Sequence, residues 1–198
     1  MSKQTLLLTI RTKKLNTRAY AGVVVAVFGV IGFLLMAYLE LPMPGFPVFL
    51  KFDLSLLPAL IAGFTLGLEI GTGVVIIKSI LYVLFSGKGG GDMGVGVLMS
   101  ALADGAFVLV ATSIYHRFHT KIGAIFSLII GTLSVALIMV AMNSLVINLL
   151  INVENINKFL WEVIFPFNLL KGGLTSFITF IIYKKISYFL KGKCNVVS

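Results

Sequence analysis

Long runs without a charged side chain constrain this sequence most. Residues 19–39 and 122–153 contain no Asp, Glu, Lys or Arg, and each reaches the about 20 residues that a helix needs to cross a bilayer. A helix suits such a segment because it satisfies its own backbone hydrogen bonds where water is absent. Hydrophobic residues make up 59% of the 198 positions and charged residues 12%, against about 45–50% and about 25% in soluble domains. The sequence therefore predicts an integral membrane protein.

The apolar segments predict an all-α bundle of six transmembrane helices in a single domain, residues 1–198. The predicted helices cover approximately residues 19–39, 54–68, 70–87, 95–116, 122–150 and 161–185. Leu41–Asp53 contains three prolines and a glycine, residues that interrupt regular structure, and we predict a loop or lid there. The basic N-terminal segment is predicted to be a retained, amphipathic leader into the first span.

The basic residues indicate the orientation in the membrane. With six crossings, both termini and the loop after the fourth span lie on one side, which carries eleven of the sixteen Lys and Arg residues. The opposite side carries only Lys51, Lys88 and Lys158. The positive-inside rule then predicts that both termini are cytoplasmic. Because the net charge of +9 is spread between the apolar runs, we predict the lipid bilayer as a partner and no nucleic acid.

Three charged residues interrupt the predicted spans: Lys78, Asp104 and Lys171. Such a residue costs about 2.5–3.5 kcal/mol on insertion scales, so it is expected to be functional or paired. Lys78 and Asp104 lie at similar predicted depths on neighbouring helices, and they form either a structural ion pair or a functional site. Lys171 has no obvious acidic partner in mid-span.

A candidate ligand site follows from Asn143, Asn168 and Lys171. Asn168 and Lys171 are three residues apart on one helix face, and all three residues fall in the outer half of the predicted bundle. An amide and an ammonium in an apolar wall can orient a flat heteroaromatic ligand, while neighbouring apolar side chains bury its faces. The alternative is structural, with interhelical hydrogen bonds from the asparagines and a lysine whose ammonium reaches toward the membrane surface.

Small residues form a stripe along the first predicted span. Gly22, Ala26 and Gly29 follow at spacings of four and three, which allows another membrane helix to approach closely. This stripe predicts a docking surface for a partner protein, and the alternative is packing against the second or sixth helix of the same chain. The sequence lacks the motifs of a membrane hydrolase or of a nucleotide-binding P-loop, so we predict no enzyme activity, no cofactor and no metal site.

Four stretches resemble one known family: Leu39–Phe64, Ile76–Gly87, Ala136–Ile147 and Ile164–Lys185. The most specific parts are KFDLSLLPALI in the first stretch and PFNLLKG in the last. They resemble the S components, the substrate-capturing membrane subunits, of energy-coupling factor (ECF) vitamin transporters, and in particular the riboflavin-specific type. The resemblance covers most of the chain after about residue 20.

The resemblance implies an outward-facing vitamin pocket in a six-helix fold of the bacterial cell membrane. It implies that Asn143, Asn168 and Lys171 hydrogen-bond the isoalloxazine ring of riboflavin. A lid that includes Phe46 and Phe52 would enclose the ligand, Asp53 would contact its ribityl chain, and Lys78 is a further candidate contact. The implied partners are a transmembrane T subunit, which would dock on the first helix, and two cytoplasmic ATPases.

The sequence departs from the family pattern at several positions. Leu56 and Ser79 stand where an acid and an Asn are usual, Leu68 and Glu69 replace a common proline, Ser100 replaces an Asn, and Asp104 is unexpected. The expected function is capture of riboflavin for ATP-driven uptake. Two alternatives are an S component for folate, thiamine or pantothenate, and a stand-alone proton-coupled carrier that uses Lys78 and Asp104 as a relay.

Overall fold

The computed structural model describes residues 3–47, 50–86, 94–150 and 156–196, and these residues are mostly helical. In chain order the elements are α1 (Lys3–Tyr38), β1 (Leu41–Pro42), β2 (Lys51–Phe52), α2 (Leu56–Leu66), α3 (Leu68–Phe85), α4 (Val95–Arg117), α5 (Lys121–Leu150), α6 (Ile156–Phe159), a π-helical turn (Leu160–Ile164) and α7 (Phe165–Val196). The predicted leader and first span form one helix, because no proline or glycine precedes Gly22 to interrupt it.

In the part of the chain that the structure describes, five helical segments are long and apolar enough to cross a membrane: Arg18–Tyr38, Leu68–Phe85, Val95–Arg117, Lys121–Ile147 and Ile156–Tyr183. The predicted second span is shorter than expected, since α2 has 11 residues and a simple crossing needs about 20. The count of six crossings and the side of the termini therefore remain predictions. Gly87 and Lys88, the predicted end of the third span and one basic loop residue, lie outside the described residues.

A single residue, Gly67, connects α2 to α3. Its φ of 114° is a backbone conformation that glycine adopts far more readily than residues with a side chain. The two helices then fold back on each other, and a Cβ at Gly71 would lie 2.9 Å from the Cα of Gly63. The tight turn between the second and third helices is thus present, and it buries most of α2 in the middle of the bundle.

The predicted loop between the first two spans contains a minimal β-hairpin. β1 and β2 pair antiparallel, with Leu41 opposite Phe52 and Pro42 opposite Lys51. Pro42 is compatible with this position because a two-stranded ladder has only edges, where a missing N–H donor is tolerated. The hairpin brings Asp53 back to the start of α2, where this carboxylate is buried.

Phe107 marks the centre of the bundle, where α4 crosses α5 and α7. Its side chain is 1% exposed and occupies the space left by two glycines: a Cβ at Gly131 would lie 2.6 Å from its ring, and one at Gly172 would lie 3.4 Å from it. Aromatic packing of this kind fixes helix positions because protein interiors are close-packed. The ring therefore holds α4 against α5 and α7 at this level of the bundle.

Candidate ligand-binding cavity

A cavity of about 900 Å³ lies between the β-hairpin and Phe107. This volume falls within the about 300–1,000 Å³ of small-molecule pockets. Every long helix of the bundle contributes to its wall, which is mainly apolar; examples are Met36, Leu56, Met99, Val135, Met139 and Phe167. Such a wall can bury a large apolar surface, while a few polar groups set the orientation of the ligand.

Asn143, Asn168 and Lys171 all line this cavity. The Nδ2 atoms of Asn143 and Asn168 donate to the carbonyl oxygens of Met139 and Ile164, each at 2.8 Å. Each bond holds an amide against its own helix, so these groups keep a fixed orientation on the wall. The side-chain amides therefore do not link helices, which was the structural alternative for them.

Lys171 has an acidic partner that the spacing of the sequence does not reveal. Its Nζ donates to Oδ2 of Asp53 at 2.7 Å, across 118 positions of sequence. The partner comes from outside the predicted spans, because the hairpin returns Asp53 to the cavity wall beside α7. The Lys171 side chain retains 19% exposure, so its ammonium also faces the cavity.

Asp53 is held in its charged form by this arrangement. Burial would raise the pKa of its carboxyl, but the ammonium groups of Lys171 and Lys78 and the bond from Lys171 hold that pKa well below its usual value. The backbone N–H of Ser55 donates to Oδ1 of Asp53 at 2.9 Å. Asp53 thus accepts hydrogen bonds on both oxygens and anchors the entrance to α2.

Lys78 and Asp104 form a buried ion pair between α3 and α4, so the pairing expected from their matched depths is present. Lys78 also donates to Oγ of Ser55 at 2.6 Å, and its side chain is fully buried. Asp104 lines the cavity but Lys78 does not. Its ammonium lies behind the wall, in contact with Asp104, and a direct ligand contact of Lys78 stays a prediction.

The two predicted lid phenylalanines lie at the margin of the cavity. The Phe46 ring packs edge-on against Phe167, with centroids 5.5 Å apart, and Phe167 lines the cavity. Phe52 is half-buried in β2 opposite Leu41. Neither Phe46 nor Phe52 belongs to the lining in this structure, so a ligand contact from either would require the hairpin to move inward.

The polar lining residues also include Glu40, Tyr82 and Ser100, which were not predicted as ligand contacts. Glu40 accepts from Nζ of Lys51 at 2.9 Å and from the hydroxyl of Tyr82 at 3.0 Å, so it connects the hairpin to α3. A carboxylate at the end of the first apolar run was a signal that could have identified it. Ser100 stands one helical turn before Asp104 on α4 and was noted only as a departure from the family pattern.

The predicted docking stripe is divided in the structure. Gly29 is buried, and a Cβ there would lie 2.5 Å from the Cγ2 of Ile77. It therefore mediates the contact between α1 and α3, an intramolecular role with a different helix from the two expected. Gly22 and Ala26 are exposed, and nothing lies within 4 Å of a Cβ built at Gly22.

Comparison with known proteins identifies the family. The family model described as "ECF transporter, substrate-specific component" matches residues 13–183. The chain is 30% identical over 190 residues to the riboflavin transporter RibU of Staphylococcus aureus, which covers 90% of this chain and 97% of that protein. It is 28% identical over 173 residues to the riboflavin transporter FmnP of Bacillus subtilis, covering 83% of this chain and 90% of that protein.

A solved structure agrees with these matches. It is described as the S component of a bacterial ECF transporter, and it superposes with a TM-score of 0.76 at 29% identity. The alignment covers 88% of this chain and 99% of that chain. Members of the family are membrane-embedded transport components and not enzymes. The chain belongs to the substrate-specific components of ECF transporters.

Proposed function

We propose that this chain is the riboflavin-binding subunit of an ECF vitamin importer. The observation that carries the proposal is the cavity, where two fixed amides and an ammonium stand on a mainly apolar wall. The relatives named as riboflavin transporters support the choice of ligand. Riboflavin combines a flat tricyclic ring, which gains from burial, with ring-edge donors and acceptors that need partners.

Affinity and selectivity have separate sources in this proposal. The apolar side chains bury the faces of the ring, and Asn143, Asn168 and Lys171 bind its polar edge. A buried polar group that loses its partner costs about 1–3 kcal/mol, so a vitamin with a different edge binds more weakly. Asp53 contacts the ribityl chain, and Phe46 and Phe52 enclose the ligand when the hairpin closes.

Uptake in this proposal requires a transmembrane T subunit and two cytoplasmic ATPases. The chain crosses the bacterial cell membrane six times, with α2 as a short buried crossing and both termini cytoplasmic. The cavity opens outward, and ATP hydrolysis in the partners drives reorientation of the loaded subunit. The exposed Gly22 and Ala26 side of α1 supports close approach of the T subunit.

A fluorescence titration tests the ligand. We expect the detergent-purified chain to quench riboflavin fluorescence at a stoichiometry of one and to carry a flavin absorbance spectrum. Folate, thiamine and pantothenate serve as matched competitors. Quenching that one of them reverses at equimolar concentration, or the absence of quenching by riboflavin, would refute the assignment.

A transport assay tests the dependence on partners. Vesicles that contain this chain alone should bind riboflavin without accumulating it, with or without a pH gradient, because the chain has no nucleotide-binding motif. Co-expression of the T subunit and ATPases should give ATP-dependent accumulation. Accumulation by the chain alone under a pH gradient would instead favour the proton-coupled carrier.

A further inference from the structure

Every carboxylate on the cavity wall is matched by one lysine. Glu40 pairs with Lys51 at 2.9 Å and Asp53 with Lys171 at 2.7 Å, and Asp104 pairs with Lys78. Among the lining residues that the structure describes, no cation remains without an acidic partner. The cavity therefore presents polar groups without a net positive charge, which suits a neutral ligand better than an anion.

Asp104 differs from the other two carboxylates in the position of its lysine. Glu40 and Asp53 meet lysines that themselves line the cavity, whereas Lys78 is fully buried behind Asp104. A ligand at this part of the wall meets the carboxylate and not the ammonium. The Lys78 ammonium donates to both Ser55 and Asp104. These two bonds fix the position of the ammonium, and the ammonium in turn fixes the Asp104 carboxylate.

The chemistry of this part of the wall is that of a hydrogen-bond acceptor. A carboxylate accepts hydrogen bonds and donates none, and the Lys78 bond uses Oδ2 of Asp104. Ser100 lies one turn earlier on the same face of α4 and also lines the cavity. A ligand hydroxyl can donate a hydrogen bond to Asp104, and it can donate to or accept from the Ser100 hydroxyl. An ionised phosphate oxygen has no proton to donate, and it adds negative charge beside a fixed carboxylate.

We infer that Asp104, held by Lys78 and assisted by Ser100, recognises the hydroxyl groups of the ligand's side chain and excludes its phosphate ester. This inference rests on the proposed function and adds a specificity-determining residue to it. Asp104 contacts the ligand, and Lys78 is a positioning residue that holds the buried carboxylate in place through its hydrogen bond. In flavin terms, the site selects riboflavin over both flavin mononucleotide and lumiflavin, which has the ring without the ribityl hydroxyls.

Dissociation constants of the unaltered chain for these three flavins give the first test. We expect riboflavin to bind at least about tenfold more tightly than lumiflavin, because a lost hydrogen bond to a charged group is worth about this factor. Riboflavin should bind about tenfold or more tightly than flavin mononucleotide, since both lining lysines that the structure describes already pair with carboxylates and a buried charge without a partner is costly. Equal affinity for riboflavin and either competitor would overturn the inference, even with riboflavin binding intact.

The double variant Asp104→Asn with Lys78→Gln gives the second test. It removes both charges together, so that no buried lysine is left uncompensated. We expect riboflavin affinity to fall by about tenfold and lumiflavin affinity to change by less than about twofold, because only the hydroxyl contact is lost. The ratio of riboflavin affinity to flavin mononucleotide affinity should be smaller in the double variant than in the unaltered chain. An equal loss for riboflavin and lumiflavin, or no loss for either, would show a purely structural pair and overturn the inference.

These outcomes are distinct from failure of the proposed function. If the unaltered chain binds none of the three flavins, the riboflavin assignment itself is refuted, and the role of Asp104 with it. If it binds all three equally, riboflavin remains a ligand and only the role of Asp104 is refuted. Equal affinities in the unaltered chain overturn the inference even if the double variant does not fold. Because Asp53 is also proposed to contact the ribityl chain, the double variant is what assigns a preference for riboflavin to Asp104.

Discussion

Removing the Lys171 ammonium should reduce stability as well as riboflavin binding, and the two effects can be separated. In Lys171→Met, Asp53 keeps the Ser55 N–H as a donor but loses its ion-pair partner, while its side chain is only 6% exposed. Breaking a buried pair costs about 3–5 kcal/mol. Because Lys171 is 19% exposed, solvent reduces the loss, and we expect about 3 kcal/mol.

The assay is thermal unfolding of the ligand-free protein in detergent. For a chain of this size, about 1 kcal/mol corresponds to about 2–4 °C in Tm, so Lys171→Met should unfold about 6–12 °C lower. Lys51→Met is the matched control: it breaks the same kind of pair with Glu40, but the Lys51 side chain is 41% exposed. Exposed pairs are worth about 0–1 kcal/mol, so the control should shift Tm by at most about 4 °C.

A double-mutant cycle separates the two roles of Lys171. Asp53→Asn together with Lys171→Met removes the charge that the single variant leaves unpaired, so most of the lost Tm should return. Riboflavin binding should stay at least about tenfold weaker in both variants, because the same donor is missing. A Tm loss in Lys171→Met no larger than in Lys51→Met would refute the reasoning, as would full riboflavin affinity in either variant.

The pH dependence of Tm provides an independent check on the same pair. The pKa of Asp53 is lowered in the folded state, so the unfolded chain takes up this proton first as the pH falls. The stabilisation that the charged Asp53 carboxylate gives to the folded state is complete above the ordinary pKa of 3.8. It is lost as the pH falls toward the lower pKa that this carboxyl has in the folded protein. The Tm difference between the unaltered chain and Asp53→Asn should therefore shrink below pH 3.8, and a constant difference would contradict this.

Two further predictions concern glycines. Gly29→Leu should destabilise the protein by about 1–3 kcal/mol, because its Cβ would lie 2.5 Å from the Ile77 side chain. Gly22→Leu, which faces open space, should leave Tm unchanged and impair only partner-dependent riboflavin uptake; the reverse pattern would contradict the docking proposal. Gly67→Ala should lower the free energy of unfolding by about 1–3 kcal/mol, because position 67 has a φ of 114°. Gly173→Ala, in open space on α7, should raise Tm slightly, and equal effects of the two changes would argue against backbone strain.

Local features of the sequence predicted most of the helices. The spans of α4 and α5 follow from uninterrupted apolar runs, and their bounds differ from the prediction by one residue at one end each. The first helix extends to Lys3, although its polar and basic start carries no membrane signal, because helix propagation needs no apolar residues. The second helix was predicted to be short, over approximately residues 54–68, and α2 is shorter still. Its burial inside the bundle was not predicted, since an apolar run does not distinguish a spanning helix from a buried one.

Pairing of charges was predictable only between neighbouring helices. Matched depth on adjacent spans made the pair of Lys78 and Asp104 one of two expected outcomes. The partner of Lys171 is 118 positions away and lies in a segment predicted only as a loop or lid, so no spacing rule connects the two residues. Asn143, Asn168 and Lys171 were expected to share one pocket, and all three line the cavity. The contribution of Glu40 depends on the hairpin register, which the sequence does not reveal.

The separation between Lys78 and Asp104 has a consequence for biosynthesis. Lys78 precedes its partner by 26 positions, so α3 leaves the ribosome before the carboxylate that neutralises its lysine does. A lone lysine in mid-membrane costs about 2.5–3.5 kcal/mol, which α3 recovers only once α4 has followed. The two helices should therefore enter the lipid as a pair, and a nascent chain truncated before residue 104 should integrate α3 poorly.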